Sequence, residues 1–171
     1  MAKTIQLTKG YVAIVDAADY LRLSAYKWHA AEVTGGLVYA ARRAKVDGKW
    51  RLVYMHREIL GLECGDKRKG DHESGDTLDN RRSNIRIATH AQNLANQKRR
   101  SDNRSGYRGV HWAGDRKRWR AQIKVLGRVY HLGEYVSPID AAKAYDRAAR
   151  EHFGEFARLN LAGPATERVA A

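Results

Sequence analysis

The chain has 171 residues and carries 32 Lys and Arg against 19 Asp and Glu, giving a net charge of +13 and an isoelectric point near 10.1. This excess predicts a polyanionic partner, with nucleic acid as the first candidate. A membrane partner is not expected, because the sequence has no long apolar run or basic amphipathic helix. The single Cys64 excludes an internal disulfide and a cysteine-rich zinc site. No signal peptide precedes the first apolar segment, so an intracellular location is expected.

Residues 1–63 are predicted to form a β-rich N-terminal region. The segments YVAIV and GGLVYAARRAKVDGKWRLVYMH have the composition of strands. Asp47-Gly48 predicts a two-residue hairpin turn, because glycine tolerates the positive φ that such a turn requires. HREILGL, at 56–62, predicts one or two helical turns, and GDKRKG, at 65–70, predicts a polar loop.

Residues 64–98 are predicted to form a compact polar module. IRIAT, at 85–89, is typical of a short strand, and Thr89 is suited to cap a helix that begins at His90. Asp71 and His72 are expected to follow a turn or a short preceding strand. A unit of this size cannot bury enough surface to be stable alone. We therefore expect it to pack against neighbouring elements.

The second half of the chain begins with a predicted polar linker at 99–105. Three short strands are predicted within 106–135, with turns near Gly114 and Gly127. A helix is predicted over 137–153, because Ser137 is a good N-cap and Pro138 suits the first helical position. Residues 106–160 are thus predicted to form one domain, and 161–171 a loose tail. The expected fold class is α+β.

The polar module has the residues that hydrolysis of a phosphodiester requires, namely ligands for a cation and a base that activates water. Asp71 is a hard oxygen ligand for Mg²⁺ or Mn²⁺. His72 points away from Asp71 on an extended segment, so it can act as a base. Asn93, one turn into the helix, can return to the cation with its side-chain oxygen. A lone histidine in a polar loop is more often structural, but the set with Asn80 and Asn84 is more specific.

The segment DHESGDTLDNRRSNIRIATHAQNLAN resembles the ββα-metal motif of phage and intron-encoded HNH endonucleases, in the variant whose last member is Asn. Ile85 stands where that motif has Leu. The resemblance implies that Asp71 and Asn93 bind the divalent cation, that His72 is the general base, and that Asn84 orients His72 through a hydrogen bond. Asn80 is expected to shape the loop.

Two further features of this resemblance leave alternatives open. In other HNH proteins the final member is His, so His90 competes with Asn93 as the last ligand. The upstream segment MHREILGL is similar to the element that precedes the site in this family. His56 and Arg57 there are expected to pack and to face phosphate, respectively, and not to act in catalysis.

Most of the positive charge lies in residues 97–131, which hold eleven basic and two acidic residues. The predicted strand from Trp119 to Val125 sorts its residues by alternation, with Trp119, Ala121, Ile123 and Val125 on one face. Arg120, Gln122 and Lys124 lie on the other. Arg and Gln suit hydrogen bonds to base edges, and Lys suits phosphate. The alternative is an ordinary domain with a solvated sheet face.

The segments YRGVHW, RWRAQIKV and HLGEYVSPIDAAKAYDRAAREHFGEFARLN are similar to the apetala/ethylene-response-factor (ERF) DNA-binding domain over nearly its full length. The resemblance implies a three-stranded antiparallel sheet packed on one helix and inserted into the major groove. The implied DNA contacts are Arg108, His111, Arg120, Gln122, Lys124 and His131. Four of these differ from the plant pattern, so the resemblance does not carry over the target sequence.

Together these features predict a phage-type HNH homing endonuclease with a C-terminal DNA-binding domain. It is expected to use Mg²⁺ or Mn²⁺, to act on double-stranded DNA, and to need no small-molecule cofactor. Its expected location is the cytoplasm of a bacterial or phage-infected host cell. Two rival hypotheses remain at this stage. One is a transcription regulator with a vestigial nuclease motif, and the other is an architectural DNA-binding protein.

Overall fold

A computed structural model describes residues 1–97 and 103–161, in which short antiparallel sheets and helices alternate along the chain. The α+β class predicted from the sequence is confirmed. The chain divides into two compact units, Met1–Asn93 and Leu94–Ala171. The predicted linker residues 99–102 and tail residues 162–171 lie outside the described residues.

The first unit contains most of the secondary-structure elements. In chain order they are β1 (Ala2–Gln6), β2 (Val12–Asp16), α1 (Ala17–Ser24), β3 (His29–Val33), β4 (Leu37–Val46), β5 (Lys49–Tyr54), α2 (Met55–Ile59), β6 (Lys69–His72), β7 (Ile85–Ala88) and α3 (His90–Asn96). The strands pair antiparallel as β1–β2, β3–β4–β5 and β6–β7. The last residues of α3 fall in the second unit.

The core of the first unit draws on both sides of the predicted boundary at residue 63. Ile85 of β7 is buried in one cluster with Ile5, Val15 and Met55. The module that carries Asp71 and His72 therefore does not have a separate core. This arrangement confirms the expectation that so small a unit packs against its neighbours.

The loop between β6 and β7 is attached to the N-terminal strands by backbone hydrogen bonds. Ile14 N–H donates to the Leu78 carbonyl at 2.9 Å, and Asn80 N–H donates to the Ile14 carbonyl at 2.7 Å. Arg82 donates to both carboxylate oxygens of buried Asp19 in α1, at 2.8 and 2.9 Å. This hydrogen bond to Arg82 is the main cause that lowers the pKa of Asp19. The loop is thus fixed at both its middle and its end.

The hairpin predicted at Asp47-Gly48 is present and joins β4 to β5. Both turn residues have positive φ, 48° at Asp47 and 75° at Gly48, as a type I′ turn requires. The prediction for residues 1–63 was incomplete, because it did not include helix α1. That helix buries Leu23 and Asp19 and exposes most of its other side chains.

The second unit contains β8 (Val110–Ala113), β9 (Arg118–Val125), β10 (Arg128–Tyr135) and α4 (Pro138–Phe153). The strands form one antiparallel sheet in the order β10–β9–β8. Ser137 Oγ accepts a hydrogen bond from Ile139 N–H at 3.2 Å, which caps α4 as predicted. Buried alanines of α4 and Tyr145 pack against Ala121 and Ile123 of β9. The predicted strands, helix and inward strand face are confirmed.

Candidate active site

Asp71 lies in β6 directly opposite Arg86 of β7, and it is 5% exposed. Arg86 Nε donates to Asp71 Oδ2 at 3.0 Å, and the same guanidinium lies 3.7 Å from the carboxylate of Glu73. A buried carboxylate is strongly unfavourable unless it is paired. Arg86, which the sequence analysis did not single out, therefore compensates the charge of Asp71.

His72 follows Asp71 in the strand and is equally buried, at 5% exposed. Its Nε2 lies 3.4 Å from Asn80 Oδ1. Asn80 Nδ2 donates to the Leu78 carbonyl at 3.0 Å, which identifies the other amide atom, facing His72, as oxygen. With the amide in this orientation, a hydrogen bond between the two side chains requires the His72 tautomer that is protonated at Nε2. Burial lowers the pKa of His72, while the Asn80 hydrogen bond and the charge of Asp71 oppose that change.

Asn84 was expected to orient His72, and the structure corrects this contact. Asn84 Oδ1 accepts from Ser74 N–H at 3.0 Å, and Asn84 Nδ2 donates to the Asp79 carbonyl at 2.7 Å. These bonds use both ends of the amide to hold the loop backbone. Asn80, which was expected only to shape the loop, makes the contact with His72. Asn80 therefore contacts His72 and Asn84 holds the loop, the reverse of the prediction. The reason is that the loop turns Asn80 inward where it pairs with Ile14.

An aromatic cluster surrounds the ring of His72. The ring centroids of His56 and Tyr39 lie 4.8 Å and 5.9 Å from that of His72. His56 is buried, and its burial lowers its pKa to about 3, so its ring is neutral at physiological pH. A Cβ at Gly70 would lie 2.3 Å from the His56 ring. Glycine at this position is therefore what allows His56 to reach His72.

Asn93 lies in α3, the helix that follows β7 after a single residue. The helix is capped as predicted: Thr89 Oγ1 accepts from Gln92 N–H at 3.3 Å, and Gln92 Oε1 accepts from Thr89 N–H at 2.8 Å. Asn93 is half-buried, whereas His90 is exposed. The order strand, strand, helix carries Asp71, His72 and Asn93 in succession, with Asn93 more enclosed than its competitor His90.

Asp71 and Asn93 are the two donors that the sequence predicts for a cation. Across residues 1–97 and 103–161, no cluster of three or more His, Cys, Asp or Glu side chains is placed to hold a metal ion. Asp71 and Asn93 carry one carboxylate and one amide oxygen, which are donor types that Mg²⁺ takes in proteins. This ion usually keeps several waters and takes only one or two carboxylates together with substrate phosphates.

The sheet of the second unit presents five of the six residues predicted to contact DNA. His111 is opposite Arg120, and Gln122 is opposite His131, so they share one face with Lys124. Arg120 Nη2 donates to Glu134 Oε1 at 2.8 Å, and this ion pair lowers the pKa of Glu134. Arg120, one of the two cations that β9 places on this face, is therefore paired.

Arg108 differs from the other five predicted contact residues. Its Nη1 donates to the Ala95 carbonyl at 2.8 Å, and its Nη2 is buried without a hydrogen-bond partner among the residues that the structure describes. The side chain of Asn160 binds the backbone of Arg108 on both sides: it accepts from Arg108 N–H at 2.6 Å and donates to the Arg108 carbonyl at 3.1 Å. The Arg108 guanidinium is therefore directed into the protein and is not part of the exposed sheet face.

Comparisons with known proteins give the family. No protein-family model matches the chain. An uncharacterized HNH endonuclease of Acanthamoeba polyphaga mimivirus is 30% identical over 156 residues, covering 89% of this chain and 76% of the relative. Protein 3.8 of Escherichia phage T7 is 32% identical over 107 residues, covering 61% of this chain and 88% of the relative. The class indicated is a viral HNH-like nuclease. The chain belongs to the HNH endonuclease family.

The extent of these matches bears on both units. A match of 156 residues is longer than either compact unit, so the similarity to the mimivirus protein includes residues of both.

None of the helices within the described segments is both long and apolar enough to cross a bilayer.

Proposed function

We propose that this protein is a metal-dependent endonuclease that hydrolyses phosphodiester bonds of double-stranded DNA, and that its C-terminal sheet reads the DNA sequence. The observation that supports this proposal best is the environment of His72. A neutral, buried imidazole adjoins a paired carboxylate and is held by an amide and an aromatic cluster. The activity is expected in the cytoplasm of the host cell.

His72 is the proposed general base. Its Nε2–H bond to Asn80 orients the ring so that Nδ1 accepts a proton from water. The contacts with His56 and Tyr39 limit rotation of the ring, and precise placement of a catalytic group contributes strongly to rate. Asn84 acts on the site through the loop backbone that presents Asn80.

Asp71 and Asn93 are the residues that would hold the cation, Mg²⁺ or Mn²⁺. When bound, the ion would stabilise negative charge on the phosphate and on the leaving oxygen. Arg86 pairs with Asp71 and holds its carboxylate in place. No small-molecule cofactor is proposed, because the acid, amide and imidazole groups together meet the needs of this reaction.

A plasmid-cleavage assay tests the proposed activity. Supercoiled plasmid and phage DNA are incubated with the purified protein in Mg²⁺, and in parallel with excess chelator. We expect conversion to nicked or linear product that the chelator abolishes. A protein that binds these DNAs but leaves them intact in both Mg²⁺ and Mn²⁺ would instead be a DNA-binding regulator with a vestigial nuclease motif.

The sheet face of the second unit is the proposed reader. Arg120 is held by Glu134, and an ordered guanidinium loses less conformational entropy when it binds a base. Gln122 and His131 lie side by side on neighbouring strands, and exposed Lys124 extends the same face. Arg120, Gln122, His111 and His131 are proposed to contact bases and Lys124 phosphate, whereas Arg108 is proposed to support the sheet.

Binding selection on random duplexes tests this reader at fixed salt, in His72→Ala protein that leaves the DNA intact. We expect Lys124→Ala to weaken binding to all sequences. Arg120→Ala and Gln122→Ala should change the preferred sequence, with about 1–3 kcal/mol per base contact. Lys143→Ala, on the exposed side of α4, is the charge control and should leave the preference unchanged. If the Arg120 and Gln122 variants select the parent's sequences equally well, this face does not read bases.

A further inference from the structure

The β4–β5 hairpin of the first unit carries a concentration of positive charge. Arg43, Lys45, Lys49 and Arg51 are all exposed, and the acidic residue in the hairpin is Asp47 in the turn. None of these four side chains forms an ion pair with a described residue. Arg42, by contrast, is paired with Glu58 at 2.9 Å. The hairpin therefore holds four cations whose charge the rest of the unit does not compensate.

One face of the hairpin combines this charge with exposed apolar surface. Arg43 is opposite Leu52, and Lys45 is opposite Trp50. These two cations and two apolar side chains therefore share one face of the hairpin. Trp50 is 70% exposed and Leu52 is 44% exposed. An exposed tryptophan beside unpaired cations is typical of a binding surface. We call these four residues the hairpin face.

The hairpin face is continuous with the wall of the candidate active site. Residues alternate along the strands, so Tyr39 and Tyr54 lie on the same side as Arg43 and Lys45. Tyr39 lies 5.9 Å from His72 and 5.6 Å from His56, between ring centroids, and Tyr54 lies 5.8 Å from His56. On this side of the sheet, Tyr39 therefore lies against the proposed base, and the hairpin face lies farther along the same strands.

We propose that the hairpin face binds the DNA duplex beside the cleaved bond, an inference that rests on the proposed nuclease function. Arg43 and Lys45 would contact phosphates, and Trp50 and Leu52 would pack against sugars and base edges. DNA is negatively charged and so complements the cations of this surface, and a two-stranded ribbon is narrow enough to enter the major groove. Four to six residues separate Tyr39 from Arg43 and Lys45, or about 13–20 Å of strand. At a rise of about 3.4 Å per base pair, this places the contacts roughly four to six base pairs from the cleaved phosphate.

The test compares two double variants of the full-length His72→Ala protein, in which cleavage does not complicate binding. Arg43→Ser/Lys45→Ser removes two cations from the hairpin face. Lys3→Ser/Lys67→Ser removes two exposed, unpaired cations of the same unit elsewhere, and is the matched control. We expect the hairpin variant to lose about tenfold or more in affinity for duplex DNA near 100 mM salt. The slope of log affinity against log salt should fall by about two, and the control should keep the parent slope.

Trp50→Ser should weaken binding about tenfold without changing the salt slope, since it removes no charge. Thermal unfolding checks that each variant is folded. A photo-reactive phenylalanine analogue at position 50 then locates the contact, which should cross-link roughly four to six base pairs from the mapped cut. Hairpin variants that bind like the parent, or cross-links remote from the cut, would overturn the proposal. If the parent does not cut but the hairpin variants lose DNA affinity, the nuclease proposal fails while DNA binding by the hairpin stands.

Discussion

His72→Ala should reduce the rate of DNA cleavage by about 10²–10⁴-fold while leaving affinity for DNA close to that of the parent. The range is the usual contribution of a positioned general base. The physical reason is that the proposed role of His72 is to take a proton from water, whereas the cations proposed to bind DNA lie elsewhere in the protein. The change should therefore appear in the rate of the chemical step and not in binding. Single-turnover cleavage with saturating protein measures that step directly.

Two variants make this result specific to the base. His29→Ala is the matched control, because it removes a half-buried histidine from β3 of the same unit. It should cleave within about threefold of the parent, as expected for a residue without a part in the reaction. His72→Gln keeps a polar side chain in the buried position and should be as inactive as His72→Ala. If either His72 variant cuts as fast as the parent, His72 is not the base.

The positions of the secondary-structure elements could be predicted where local patterns are strong. Asp47-Gly48 requires its turn, Ser137 and Pro138 fix the start of α4, and Thr89 fixes the start of α3. Helix α1 was missed, because it is short and packs through only a few side chains such as Leu23. Its contacts include the pair of Arg82 with Asp19, which is remote in sequence and leaves no periodic signal.

The candidate site was predictable in its residue types but not in its contacts. The motif names Asp71, His72, Asn80, Asn84 and Asn93, yet the partner of each amide depends on the path of the loop. Attachment of that loop to Ile14 turns Asn80 toward His72 and leaves Asn84 on the backbone. The same limit explains Arg108, which the resemblance to the ERF domain implied as a DNA contact. Its guanidinium instead donates to the Ala95 carbonyl, a contact between residues thirteen apart that no local pattern announces.

Loss of the proposed metal ligands should have the second large effect on cleavage. Asp71→Ala should abolish Mg²⁺-dependent cleavage, because it removes the charged ligand. It also removes the ion pair between Asp71 and the half-buried Arg86, so thermal unfolding must accompany the assay. Asp71→Asn keeps the shape and a hydrogen-bond acceptor for Arg86 but lowers the charge of the ligand. This variant should remain folded, but it should need a far higher Mg²⁺ concentration than the parent for half-maximal cleavage.

Asn93 and His90 form a matched pair for identifying the second ligand, because both lie in α3 and are three residues apart. We expect Asn93→Ala to raise the Mg²⁺ concentration for half-maximal cleavage by about 10–100-fold, as loss of a metal-site contact usually does. His90→Ala should change it by less than about threefold, because His90 is exposed at the start of the helix. Calorimetric titration of each folded variant with Mn²⁺ gives a second measure that does not depend on turnover. An inactive His90→Ala beside an active Asn93→Ala would assign the ligand to His90. The site would then be the histidine-terminated form of the motif, with the ligand at the first position of α3.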